Sequence, residues 1–447
     1  MAAVSSSNAG SRGFDRAALR ARYVAARKRT EALAALLSPE DQLLQAFADA
    51  SPVKWHRAHT TWFFENFALA HHDQARSFLW NSYYDAVGPR HPRHHRALLS
   101  RPSNDEVSRW RADVDARVVA VIDGADDDAF AAVAAAVALG CQHEEQHQEL
   151  ILTDVLAAFV LHPTGSVLRA PTTTTAVAMT TTTLPATRIA LSVEEKPGRG
   201  KLADQFAGGL VETGFVGAGF CFDNELPRHR VFLRPFALSS RLVTVGEVRA
   251  FVDAGGYRQP SWWLSAGFSL VQQHRWQHPH MVKIEAGVWL GFGVSGWRVL
   301  HDDEPAAFLS LYEADAIARF LGGRLPTEAE WEHACDERID AEAFAAGTFF
   351  DDVATSALQP MPAMHACLTQ MGGDVWEWTS SAYGAYPGFA AAAGALGEYN
   401  GKFMIGQQVL RGGSAFTPMG HARPSYRNFW PPETRFQLTG LRVAWDR

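Results

Sequence analysis

The chain has 447 residues, 47% of them hydrophobic and 20% charged, enough length and apolar material for two or three domains with their own cores. Its formal net charge of -7 argues against a general polyanion binder, and no apolar run approaches the roughly 18 residues needed to span a bilayer. The four cysteines, Cys141, Cys221, Cys335 and Cys367, show no CxxC spacing, which fits a reducing cytoplasm and gives no disulfide framework.

Met1 to Arg12 is rich in Ser, Gly and Ala without an apolar core, so it reads as a tail and not as a secretory signal. Asp15 to Leu37 alternates basic and apolar residues like an amphipathic first helix. Ser38-Pro39-Glu40-Asp41 carries an N-cap, a proline at the first helical position and early acids, and predicts a helix start. Ser51-Pro52 predicts another, running through Trp55, His59, Trp62, Phe63 and Phe67. Asp126 to His162, Ala-rich and apolar, predicts a long helix or a helix pair. The chain to about His162 therefore reads as a helical bundle, whose interior can hold a metal between facing helices. Pro163 to about Asp204, with Thr-Thr-Thr-Thr at 172–175 and 180–183, reads as an extended linker. From about Gln205 the sequence turns to Gly, Trp and Phe in short strand-like pieces. Helices are predicted at Val245 to Ala254 and Leu311 to Phe320, within an α+β domain with much loop.

His143-Glu144-Glu145-Gln146-His147 carries the most chemistry. Two imidazoles four positions apart on a helix leave the same face about one turn apart and can reach one transition metal. The string also fits H-E-x-x-H, the zinc-peptidase pattern in which the first Glu activates water. That reading needs a third ligand downstream, and the next glutamate after Glu149 is Glu194, inside the linker. The Ser51 helix offers two candidates for a third ligand. His59 shares a stripe with Trp55, Trp62 and Phe63, and His56 lies off it, so spacing favours His59 and leaves His56 open. Cys141 diverges from His143 on a helix and reads as core. His71, His72, His91, His94 and His95 read as surface or supporting residues.

Four strings in the second half belong together: Gly322 to Glu332 (GGRLPTEAEWE), Gly373 to Thr379 (GDVWEWT), Leu410 to Ser414 (LRGGS) and Gly440 to Ala444 (GLRVA). They resemble the formylglycine-generating-enzyme family, a variant of the C-type-lectin fold, over roughly Phe215 to Asp446. Its oxidase members use a pair of late cysteines; none follows Ser414 here, so formylglycine chemistry is not expected. Trp55 to Phe63 (WHRAHTTWF) and the His143/His147 helix resemble the DinB-like bundle. Joined, the two halves resemble the iron-dependent sulfoxide synthases of ergothioneine biosynthesis, with Asn81 to Arg93 (NSYYDAVGPRHPR) as a marker string. The fold expected is a DinB-like four-helix bundle over 1–162, a Thr-rich linker over 163–204 and a lectin-like, formylglycine-generating-enzyme-like domain over 205–447.

The resemblance implies iron(II) on His59, His143 and His147, with O₂ as co-substrate. The reaction it implies joins the sulfur of cysteine to C2 of the imidazole of hercynine (Nα-trimethylhistidine) as a sulfoxide. It places catalytic tyrosines at Tyr83 and Tyr84, with Tyr426 the nearest tyrosine for a branch that draws it from the lectin-like domain. Gln146 is expected on the hercynine imidazole, and Asn428, Phe429 and Trp430 on its carboxylate and trimethylammonium. Arg90 and Arg93 are expected on the carboxylate of the thiol. Trp430 stands where members that use γ-glutamylcysteine typically carry Asp, which favours free cysteine. A cytoplasmic monomer or weak oligomer is expected, with small-molecule substrates and no nucleic-acid or membrane partner. The competing readings are the same reaction with γ-glutamylcysteine, a 5-histidylcysteine sulfoxide synthase, a zinc H-E-x-x-H hydrolase and a metal-free lectin-like binding module. The histidine-acceptor class is disfavoured because the chain stops after Trp445, without a methyltransferase's Rossmann-type glycines.

Overall fold

Asp15, Ser103 and Asp126 each accept a hydrogen bond from a backbone N–H three residues on, and each starts a long helix of the first domain. The computed structural model describes residues 14–170, 203–363, 368–391 and 395–447. Its first five helices are α1 (Arg16–Ala34), α2 (Val53–Phe63), α3 (Gln74–Trp80), α4 (Asn104–Gly124) and α5 (Asp127–Phe159). The helix predicted at Ser38 is realised only as one tight turn, Asp41–Leu43. Ser38 Oγ does accept from Asp41 N–H, but Gln42 is drawn into the bundle, donating to the Ala34 carbonyl and accepting from Arg57, and the chain turns extended at Leu44. The two Thr runs, the tail to Arg12 and Cys367 lie outside the described residues.

α2 is the centre of the bundle: all 11 of its residues are buried, six of them polar. Pro52 starts it without a side-chain cap, since the proline ring carries no acceptor, and the Ser51 N–H just before it donates to Asp154 of α5 at 2.8 Å. Beyond Phe63 the helix widens into a π turn, Phe64–Ala68, which carries Phe64 against α5 at Gly140. A Cβ on Gly140 would sit 2.4 Å from Phe64 Cε1, so the close approach of the two helices depends on this glycine.

The second domain is built of short strands: β1 (Ala203–Phe206), β2 (Gly209–Thr213), β3 (His229–Leu233), β4 (Phe236–Ser239), β5 (Val282–Glu285), β6 (Val288–Gly293), β7 (Gly296–Val299), β8 (Trp376–Ala382), β9 (Gln408–Arg411), β10 (Asn428–Trp430), β11 (Thr439–Gly440) and β12 (Ala444–Asp446). They pair as β1-β4-β12, β10-β9-β8-β11, β2-β3 and β5-β6-β7. Helices α6 (Val245–Asp253), α7 (Ser265–His274), α8 (Leu311–Phe320), α9 (Glu328–Arg338) and α10 (Ala341–Ala345) complete it, two of them where the periodicity predicts.

The four strings of the second half supply the two ends of buried ion pairs. Arg442 meets Glu377 at 3.0 Å, both nearly without exposure. Arg411 meets Glu328 at 3.0 Å and Glu332 at 2.9 Å. Thr327 and Glu330 form the capping box that starts α9, while Arg324 grips the same Glu330. Removing one partner of such a pair leaves an uncompensated buried charge, costing about 3–5 kcal/mol. Among the described residues, no helix is long and apolar enough to cross a membrane.

Candidate metal centre

α5 presents His143 and His147 to the bundle interior, and α2 presents His59 opposite them; all three are buried, with ligating atoms within 4.8 Å of one another. His59 Nε2 and His147 Nε2 each stand 3.1 Å from His143 Nε2. With metal–nitrogen bonds of about 2.0–2.1 Å, ligands at right angles are about 3 Å apart and tetrahedral ones about 3.4 Å apart. The two 3.1 Å spacings fall within that range, so one metal ion could be held by all three nitrogens. The ring of His59 lies between two tryptophans, Trp55 at 4.5 Å and Trp62 at 5.6 Å, which fixes its plane.

The outer nitrogens show which tautomer His59 and His147 adopt. His59 Nδ1 is 2.5 Å from the Trp80 carbonyl, so it carries the hydrogen and leaves Nε2 a lone pair. His147 Nδ1 lies 2.7 Å from His56 Nδ1, and His56 Nε2 lies 3.1 Å from Asp154 Oδ2. The carboxylate takes the Nε2–H of His56, which therefore accepts from the Nδ1–H of His147, whose Nε2 is left bare. His143 Nδ1 is buried without a hydrogen-bond partner among the described residues. Burial lowers all three pKa values, that of His143 to about 3, which keeps the rings in the neutral, ligating form. The histidine left open on the Ser51 helix, His56, is placed behind His147 and not in the triad.

Glu144, the base of the peptidase reading, is fully buried on the other side of α5. It accepts from Thr30 Oγ1 at 2.6 Å and from Arg27 at 2.9 Å, and pairs with Arg111. Burial alone would raise its pKa, but Arg111 and Arg27 bring it down to about 2. Its oxygens are committed to these partners, so no water activation on the H-E-x-x-H pattern is available to it.

Tyr84 is fully buried against Phe67 at 5.2 Å and Trp62 at 5.9 Å, the tryptophan that also covers His59. Tyr83 stacks on Tyr84 at 4.6 Å, with the two hydroxyl oxygens 3.5 Å apart, and its edge meets Tyr399 and Phe403 of the second domain. Burial raises both phenol pKa values, so both hydroxyls keep their protons. Gln146 reaches across the seam: the Tyr399 hydroxyl donates to its Oε1, and its Nε2 donates to Tyr426 Oη at 2.7 Å.

Arg90 is exposed and paired with Asp85, and Arg93 is exposed and 3.8 Å from Asp49. The arginine held inside is Arg96, which the motifs did not single out. It is 3% exposed, lies 3.4 Å over the Trp55 ring that covers His59, and donates to the hydroxyls of Ser51 and Ser82. Its Nε has no partner among the described residues, and burial pushes its pKa down to about 8. On the three-residue strand β10, Asn428 and Trp430 share one face and Phe429 takes the other, stacked on Tyr383 at 4.0 Å. Asn428 Oδ1 accepts from the Phe429 N–H, and Trp430 meets Phe436 at 5.3 Å. Tyr399 and Arg96 were invisible in the sequence because neither stands in a spacing that local periodicity can reveal.

Residues 22–151 match the DinB superfamily, and residues 205–447 match the family described as sulfatase-modifying factor enzyme 1-like domain. Fold and site thus define a class: a DinB bundle with a three-histidine group, joined to a sulfatase-modifying-factor-like domain. The chain is 32% identical over 421 residues to the hercynine oxygenase of Mycolicibacterium thermoresistibile, covering 89% of this chain and 87% of that protein. It is 36% identical over 247 residues to that of Mycobacterium tuberculosis, covering 50% and 56%. To the formylglycine-generating enzyme of Streptomyces coelicolor it is 29% identical over 270 residues, covering 52% and 84%. The chain belongs to the hercynine oxygenase family and is an oxidoreductase.

Proposed function

We propose that this chain joins the sulfur of cysteine to C2 of hercynine, consuming O₂ and giving hercynylcysteine sulfoxide in ergothioneine biosynthesis, with iron(II) on His59, His143 and His147. The observation that carries the reading is the convergence of three neutral Nε2 atoms beside the seam where Gln146 and Tyr83 meet the second domain. Iron held by three neutral nitrogens supplies open positions for a thiolate and oxygen.

The residues around the triad have separable tasks. Arg96, a buried cation whose hydrogen-bond partners are hydroxyls, is suited to the carboxylate of the thiol, with Arg90 and Arg93 on the exposed part of the same loop. Gln146 meets the hercynine imidazole, and Asn428, Phe429 and Trp430 its carboxylate and trimethylammonium, with the Phe429 ring held between Tyr383 and Phe403. Trp430 offers no carboxylate to the ammonium group of a γ-glutamyl chain, which favours free cysteine. Tyr84 and Tyr83, neutral and with hydroxyl oxygens 3.5 Å apart, serve as the proton source of the reaction.

The test is anaerobic ferrous reconstitution followed by air, hercynine and either cysteine or γ-glutamylcysteine, with products read by mass spectrometry. Hercynylcysteine sulfoxide from free cysteine is expected. Product only from γ-glutamylcysteine overturns the thiol assignment, and no coupling with either thiol overturns the reaction.

A further inference from the structure

Gln146 lies between two histidines of the triad, and the second domain grips its amide at both ends. The bonded chain continues beyond Tyr426. Tyr426 Oη is 3.2 Å from His421 Nε2, His421 Nδ1 is 3.1 Å from Glu145 Oε2, and Arg22 is 2.7 Å from the same carboxylate oxygen. Glu145, His421 and Tyr426 are all buried, and the chain crosses from one domain to the other twice.

The direction of each bond follows from its ends. The Glu145 carboxylate, paired with Arg22, only accepts, so His421 carries its hydrogen on Nδ1 and offers a lone pair at Nε2. Tyr426 gives its single proton to that lone pair, and its oxygen is left to accept from the Gln146 N–H. A reversed amide would set a carbonyl against a hydroxyl oxygen whose proton is already committed. The Tyr399 hydroxyl, donating to Oε1 from the other side, fits the same direction. The amide then retains one N–H and one lone pair for another molecule.

We propose that Glu145, His421 and Tyr426 form a positioning relay that fixes the amide direction of Gln146, and so decides which end of it, donor or acceptor, faces the imidazole of the substrate. This rests on the reading above, in which Gln146 meets that imidazole. A neutral imidazole has one donor and one acceptor nitrogen, so an amide held in one direction selects the tautomer and the ring orientation that bind. The three residues act through Gln146 and do not touch the reacting atoms.

The experiment is a calorimetric titration of hercynine into the anaerobic, iron(II)-loaded full chain, paired with KM and kcat for both substrates. H421F removes both ring nitrogens, whereas H421Q keeps one acceptor and one donor but cannot carry a proton as an imidazole does. H421F is expected to weaken hercynine binding about tenfold, the loss of roughly one good hydrogen bond, with the KM for cysteine and iron content unchanged and the melting temperature lowered by the buried groups it leaves unpaired. H421Q is expected to restore hercynine affinity. Tyr426→Phe, a smaller change in the core, is expected to match H421F and keeps the test open if H421F does not fold. Equal hercynine affinity in wild type, H421F and Tyr426→Phe overturns the relay alone. H421Q as impaired as H421F also overturns it, pointing to proton transfer instead of positioning. Wild type that does not bind hercynine overturns both the relay and the functional reading beneath it.

Discussion

The three imidazoles of the triad differ in what stands behind them: a backbone carbonyl for His59, an imidazole backed by a carboxylate for His147, and no partner among the described residues for His143. An anionic relay makes a histidine a stronger donor, so His147 should hold the metal most firmly. His56→Phe is therefore expected to lower iron(II) affinity about 10–100-fold, measured by competition with a chelator; unchanged affinity would contradict the relay. Glu144 makes the opposite case of a titratable residue in the motif with a structural task. Its carboxyl titrates near 4.5 in the unfolded chain and near 2 in the fold, so the unfolded chain takes up the proton first. Its contribution to stability is complete above about pH 4.5 and is lost as the pH falls toward 2. Glu144→Gln leaves Arg27 and Arg111 with only their more exposed partners, Asp115 at 2.6 Å and Glu31 at 2.8 Å, and should cost up to about 3–5 kcal/mol at neutral pH while flattening that acid limb, as read by urea denaturation. Tyr84→Phe and Tyr83→Phe are expected to divert product from sulfoxide toward cysteine sulfinate, read by mass spectrometry; unchanged ratios in both would refute the tyrosine assignment.

At the scale of elements, the site depends on how closely α2 and α5 approach. α2 gives up much of a helix's usual amphipathic character, burying arginine, lysine and histidine, because ion pairs and hydrogen bonds await each polar group. Gly140 admits the ring of Phe64 from the π turn at the end of α2. Gly140→Ala gains up to about 1 kcal/mol of helix propensity but forces a methyl 2.4 Å from a buried ring. Overpacking of this kind costs about 1–3 kcal/mol, so a net loss of stability is expected, with lower iron occupancy as α5 is pushed away from His59. Thermal melting and metal analysis on the same sample check both. A rise in melting temperature would mean the ring moves aside freely.

At the scale of the molecule, α5 is shared between the domains. Two residues beyond His147, Glu149 accepts from Trp376 Nε1 at 2.7 Å, Ser414 Oγ at 2.7 Å and Thr417 Oγ1 at 2.9 Å, all from the second domain. Glu149→Ala leaves three buried donors without their acceptor, at about 1–3 kcal/mol for each that cannot find another. The variant is expected to melt in two calorimetric transitions where the wild type shows one, and a single unshifted transition would show that the domains hold together without Glu149. The four family strings of the second domain each place one end of a buried ion pair, Arg442–Glu377 or Arg411–Glu328, where loss of one partner alone strands a buried charge.

Local order was legible in the residues themselves. The long helix carrying His143 and His147 follows from its composition and the Asp126 cap, and their shared face from a spacing of four. The resemblance of the two halves pointed to the family before any distance was known. Sequence spacing left His56 and His59 both open, since both sit on one buried helix and only the packing of α2 against α5 separates a triad member from its support. The Ser38 signal predicted a helix that the pull of Gln42 into the bundle cut to a turn. Arg96 was one basic residue among several in its loop until Trp55 and two serines closed over it. Gln146, Tyr399 and Tyr426 come together only because two loops of the second domain fold back against α5 from 253 and 280 positions away. Helix caps and helical spacing act within a few residues and are written in the sequence; a site assembled across a domain seam depends on tertiary packing, which brings together residues with no local relation.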